Sequence, residues 1–160
     1  MKSLLFIALV LFSKITWAQS EKPSIGDIVF DAKTDDPKFQ FCYQFIFQGY
    51  ELKTAQDESR KWISDHIKEK FSFKEEWKDQ TGFIAVRFAV NCLGLTDRFR
   101  VIGSSEDLKS FEFPPDLCKY LTQLVKDEKW PIGNYHLKTV DYYHVVTFKI
   151  VNGKLLEVLL

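Results

Sequence analysis

What this chain lacks narrows what it does. No apolar run is longer than the nine residues of Leu4–Phe12, about 14 Å as a helix against a hydrocarbon core of about 30 Å, and Lys14 blocks its extension, so no membrane span is expected. Neither charge is in excess, with 22 basic and 22 acidic residues, which removes the positive field that nucleic acid would require. The histidines are few, and His66, His136 and His144 share no metal-ligand spacing such as i,i+4 on a helix, so no metal is expected. The seven glycines are too scattered for a phosphate cradle. The carboxylate pairs Glu75-Glu76 and Glu106-Asp107 read as solvated surface, and no cofactor is expected. There is no internal repeat and no low-complexity linker.

What is present at the N-terminus is a cation, Lys2, an apolar stretch and the small-residue exit Thr16-Trp17-Ala18, the pattern of a cleavable secretory signal peptide over residues 1–18. The exported chain is expected to begin at Gln19, and no cysteine near that junction offers a site for a lipid anchor. Loss of Lys2 and Lys14 leaves 20 basic against 22 acidic residues. A chain of this length with 15 Phe, 4 Trp and 6 Tyr has enough apolar surface for one domain with one core.

Three cysteines follow the signal segment, so an oxidising compartment leaves at least one thiol unpaired. Cys118 falls on the apolar stripe of an expected helix and reads as a small buried hydrophobe. Cys42 and Cys92 lie in expected extended segments and are the candidate disulfide.

Residues 19–38 read as a loosely held lead-in, and the crowded aromatics of Phe39–Leu52 as extended chain. The first helix is expected over 55–70, with Thr54 as N-cap and Trp62, Ile63, Ile67 and Phe71 as its buried stripe. Phe83–Val90 and Leu95–Ile102 alternate about the turn Asn91-Cys92-Leu93-Gly94 and predict an antiparallel hairpin. Pro114-Pro115 open a second helix whose stripe is Leu117, Tyr120, Leu121, Leu124 and Val125. Val140–Val151 and Leu155–Leu159 about Asn152-Gly153 predict a C-terminal hairpin. The domain organisation expected is a signal peptide (1–18), an N-terminal extended segment (19–53) and one α+β domain (54–160), a small antiparallel sheet with two helices packed on it.

From Trp62 to Ile150, about 90 residues, the ordered motifs resemble the C-terminal domain of TonB. They are a helix ahead of Gly82, the stretch Gly82–Asn91 with Gly94, the strand Phe99–Ser104, a helix, Trp130-Pro131 in place of the family's Trp-x-Pro exit, Gly133, and the strand Val145–Ile150. The resemblance implies a helix-strand-strand-helix-strand fold, a periplasmic location in a Gram-negative bacterium, and a protein partner such as an outer-membrane transporter. The family's membrane anchor and proline-rich linker have no counterpart here, so energy transduction is not carried over.

The expected mode of action is therefore protein binding by strand contacts, not catalysis. The candidate contact residues are Tyr142, Tyr143, Val145, Thr147 and Lys149 on the last long strand, with Leu155, Leu156 and Val158 as an element that either caps that strand's edge or pairs with another copy. Alternation turns about half of them inward. The rival readings are a secreted or periplasmic cysteine-dependent enzyme, and a structural exported domain with an unrelated partner.

Overall fold

The computed structural model describes residues 28–52 and 56–160. A five-stranded, mostly antiparallel sheet carries two helices on one face, so the protein is α+β. In chain order the elements are β1 (Phe47–Gln48), α1 (Gln56–Lys70), β2 (Gly82–Val90), β3 (Thr96–Ser104), α2 (Pro115–Lys126), β4 (Gly133–Tyr135), β5 (Lys138–Val140), β6 (Tyr142–Val151) and β7 (Lys154–Leu159). Short 3-10 turns lie at Gly49–Glu51 and Glu75–Trp77. The sheet order is β1-β6-β2-β3, with β7 also pairing β6, while β4 and β5 form a separate small hairpin.

Local chemistry sets these elements. Asn91 builds the β2–β3 turn: its Oδ1 accepts the N–H of Leu93 and of Leu95 at 3.0 Å each, and Gly94 takes φ 79°. Pro115 sits in the first turn of α2, where a missing N–H is harmless, and Lys68, Lys70 and Lys126 complement the negative ends of the two helices. Asn152 and Gly153 both have positive φ, 50° and 73°, the geometry that matches a two-residue turn to the twist of β6 and β7.

The helices bury Ile63, Ile67, Leu117, Leu121 and Val125 against Ile84, Val86, Phe88, Val146, Phe148 and Ile150. Trp77 is completely buried beside them, and its indole N–H donates to Asp116 at 2.6 Å. Gly153 lies against this residue: a Cβ there would meet the Trp77 carbonyl oxygen at 2.3 Å. Gly153→Ala therefore carries both a left-handed backbone penalty and a clash with main chain, and is expected to cost about 2 kcal/mol or more in urea unfolding. Gly94→Ala shares the backbone penalty, but its nearest neighbour is a flexible Ile132 side-chain atom at 3.3 Å, so a smaller loss is expected.

Several expectations need correction. Only Phe47–Gln48 of the 39–52 stretch pairs in the sheet; Gly49–Glu51 is a 3-10 turn and the part before Phe47 is loop, where Asp141, not a neighbouring strand, takes the N–H groups of Cys42 and Tyr43. The described part of the lead-in is not loose. Ile28, Phe39, Ala89 and Tyr143 form a second apolar cluster on the face away from the helices, and Asp35 is buried in an ion pair with Arg100 at 2.8 Å. Trp62 leaves the stripe of α1 and is 58% exposed, its ring tilted over His66 at 4.8 Å. The β4–β5 hairpin was not anticipated. The expected N-cap Thr54 and the segment 1–27 lie outside the described residues.

Candidate partner-binding surface

The predicted contact strand, β6, lies inside the sheet. All nine residues of β2 pair along one side of it, from Gly82↔Ile150 to Val90↔Tyr142. On its other side β1 runs parallel at Tyr142 and Tyr143, and β7 runs antiparallel from Thr147 to Val151. Of the named residues, Tyr142, Tyr143 and Val158 are buried, and Leu155 packs on the core. Tyr142 donates its hydroxyl to the Pro131 carbonyl at 2.6 Å, and burial pushes that phenol up. Val145 and Leu156 are exposed, and Thr147 and Lys149 are half-buried.

Register shows what these exposed positions share. Leu159 lies opposite Thr147, Thr147 opposite Ala85, and Ala85 opposite Ile102, one row across β7, β6, β2 and β3 on the side away from the helices. The next row is Glu157, Lys149, Phe83 and Ser104. Ile102 and Leu159 are 62% and 50% exposed. The 28–46 segment packs at the opposite end, against Ala89 and Tyr143, leaving these rows uncovered by it. The two edges are blunted. The Ser64 hydroxyl donates to the Val158 carbonyl of β7 at 3.0 Å, and Phe111 donates its N–H to Gly103 of β3 at 3.1 Å. Ile102, Phe83 and Leu159 were missed as contacts. The signal for Ile102 and Phe83 was present in the alternation, where apolar residues fall on both faces of the β2–β3 hairpin.

The N-terminal segment is held by a clasp centred on a buried carboxylate. Cys42 and Cys92 are disulfide-bonded, their Cα atoms 6.0 Å apart across a separation of 50 residues. Beside the bond the fully buried Asp141 carboxylate accepts the N–H groups of Cys42 (2.7 Å), Tyr43 (2.9 Å) and Cys92 (2.7 Å). Burial pushes this carboxyl up against the pull of those bonds. Sequence reasoning missed Asp141 because nothing local marks a carboxylate that serves backbone donors nearly a hundred residues away. Farther along, burial works to raise Asp35, yet Arg100 and the Asp31 N–H outweigh it and hold the carboxyl below its ordinary value. Arg98, at φ 62° in a bulge opposite Phe88, bonds Asp97 at 2.6 Å and lies over the Phe30 ring.

Thiol chemistry has little to draw on. Cys118, the remaining cysteine, is half-buried on α2, and burial, then Asp116, pushes its thiol up, away from the thiolate a nucleophile requires. His66 is bonded to Glu128 at 2.8 Å, and the buried His144 is ringed by Phe88, Trp130 and Tyr142. An open cleft of about 640 Å³ lies between Phe39, the Leu93–Thr96 turn and Trp130 with Ile132, its charged lining mixed: Lys38 and Lys129 with Asp36 and Glu128. Among the described residues no helix is long and apolar enough to cross a membrane.

No family model matches the chain, and no curated protein or solved structure matches it.

Proposed function

We propose that this protein is an exported protein–protein interaction domain of the TonB C-terminal type, acting in the periplasm and not itself transducing energy. The observation that carries the reading is the uncovered row Leu159, Thr147, Ala85 and Ile102, apolar at both exposed ends and spanning four strands. Two further features support it. A disulfide suits an oxidising compartment, and the order α1-β2-β3-α2-β6 follows the family's order. In that family an extended transporter peptide adds to the sheet edge. Here β1 and β7 line that side of β6 from within the same chain, so partner contact runs through the open sheet face and the outward side chains Val145, Leu156 and Leu159.

A photo-crosslinking residue at Ile102 or at Leu159 is expected to give a discrete protein adduct in the cell envelope, and the same residue at the exposed Trp62 position on α1 none. Absence of adducts from both sheet positions, or the same adduct from all three, overturns the reading.

A further inference from the structure

Away from the sheet face, a second apolar surface is built from loops. The rings of Tyr43 and Phe45 lie 6.1 Å apart, Phe45 and Phe47 5.3 Å, Phe47 and Tyr135 4.8 Å, and Tyr135 and His136 4.3 Å, a continuous aromatic ridge. Phe45 is 59% exposed. The ridge ends at the tip of the β4–β5 hairpin, where Leu137 is 103% exposed, projecting beyond an ordinary extended-chain side chain.

That tip is locally unfavourable twice over. His136 and Leu137 have φ 46° and 66°, the left-handed pair that two-residue hairpin turns normally assign to Asn and Gly. A leucine there is strained, and it also faces water entirely. Neither the turn nor the core gains from it.

Charge identifies the occupant. Segments 37–50 and 129–140 supply the ridge and its surroundings, and in a chain with 22 acidic residues they contain none, while holding Lys38, Lys129 and Lys138, all exposed. Of the bordering carboxylates, Glu128 is paired with Lys70 and His66 and Asp141 is buried under three N–H groups, while Asp36 and Glu51 are exposed. Aromatic rings, a protruding leucine and a lysine, Lys138, beside that leucine at the tip are what a bilayer interface with anionic headgroups accepts.

We propose that the Tyr43–Phe47 ridge and the Leu137 tip dock the protein peripherally on an anionic lipid bilayer. Leu137 and Phe45 enter the headgroup boundary, Lys138 meets the lipid phosphates, and the sheet face stays free for its partner.

The test uses the chain from Gln19, which contains every described residue but not the Leu4–Phe12 run that would bind lipid by itself. It is floated with vesicles of phosphatidylcholine, with and without one quarter phosphatidylglycerol. Flotation is expected with the anionic vesicles and is expected to weaken as salt rises. Leu137→Glu and Phe45→Glu should each lower the bound fraction by about tenfold or more, and Ile102→Glu, on the sheet face, should leave it unchanged. Leu137→Gly, which suits the left-handed backbone, should raise the thermal midpoint while weakening vesicle binding, an outcome a purely structural tip would not give. Failure to float with anionic vesicles, flotation indifferent to Leu137→Glu and Phe45→Glu, or a dimer that those substitutions dissolve would overturn the proposal.

Discussion

Replacing Cys42 and Cys92 together by serine is expected to lower the unfolding free energy by about 4 kcal/mol, the loop-closure value for a 50-residue separation. The loss comes chiefly through the unfolded chain, which regains the freedom that the bond removed. In the folded state Asp141 still collects its three N–H groups, so the 28–46 segment is expected to stay in place but to open at lower urea than β2 and β6. Two probes separate the steps. Tyr43 hydroxyl environment should change before the Trp77 fluorescence does, whereas in the bonded protein both should change together. A loss below about 1 kcal/mol would mean that the bond closes no loop the unfolded chain would otherwise open.

Acid is expected to destabilise the fold through His144. Burial among aromatic rings, with the Arg60 charge adding to it, pulls this imidazole down from 6.5 to about 4. A folded value below the unfolded one means that, between the two, the unfolded chain binds the proton and the folded chain does not, so stability is lost as pH falls through 6.5 toward about 4. The slope is about 1.4 kcal/mol per pH unit and the total about 3 kcal/mol. Asp141 and Asp97 act in the opposite sense. Burial raises both carboxyls, so the folded chain takes up those protons first, and their contribution to stability grows as pH falls through the folded values. The difference in slope between the parent and His144→Leu in urea unfolding, between about pH 5 and 6.5, isolates the histidine. The loss of stability on acidification should disappear in His144→Leu, and a loss of the same slope surviving this substitution would place the acid sensitivity elsewhere.

How much was legible in the sequence follows from where each constraint acts. Helices α1 and α2, the β2–β3 hairpin and the β6–β7 hairpin were legible because their periodicity and their turn residues, Asn91 with Gly94 and Asn152 with Gly153, act within a few positions of one another. The segment around Cys42 was misread as strand. Its aromatics have strand composition, but its backbone donors are taken by Asp141, nearly a hundred residues away, and no local pattern encodes that. The charge run before Pro37 read as part of a loosely held lead-in for the same reason: the guanidinium that pairs with Asp35 belongs to Arg100, 65 residues on. Trp62 fitted a helical stripe just ahead of Ile63, but a helix face of this width buries Ile63 and Ile67 and turns Trp62 out. The candidate surface was half legible. Alternation along β6 separates outward Val145, Thr147 and Lys149 from inward Val146 and Phe148, whereas the assembly of Leu159 and Ile102 into one row depends on strand order, which hairpin signals leave open.

The claim that most needs a direct test is that β7 closes the side of β6 from within the same chain, so that partners meet a sheet face and not an open edge. Sedimentation equilibrium of the chain from Gln19, run over a wide concentration range, reads this out. A monomer is expected throughout, for the intact protein and for Leu156→Asp alike, since Leu156 is exposed and β7 already pairs β6 of its own chain. A concentration-dependent dimer that Leu156→Asp returns to monomer would make β7 an interface between copies, and would contradict the claim.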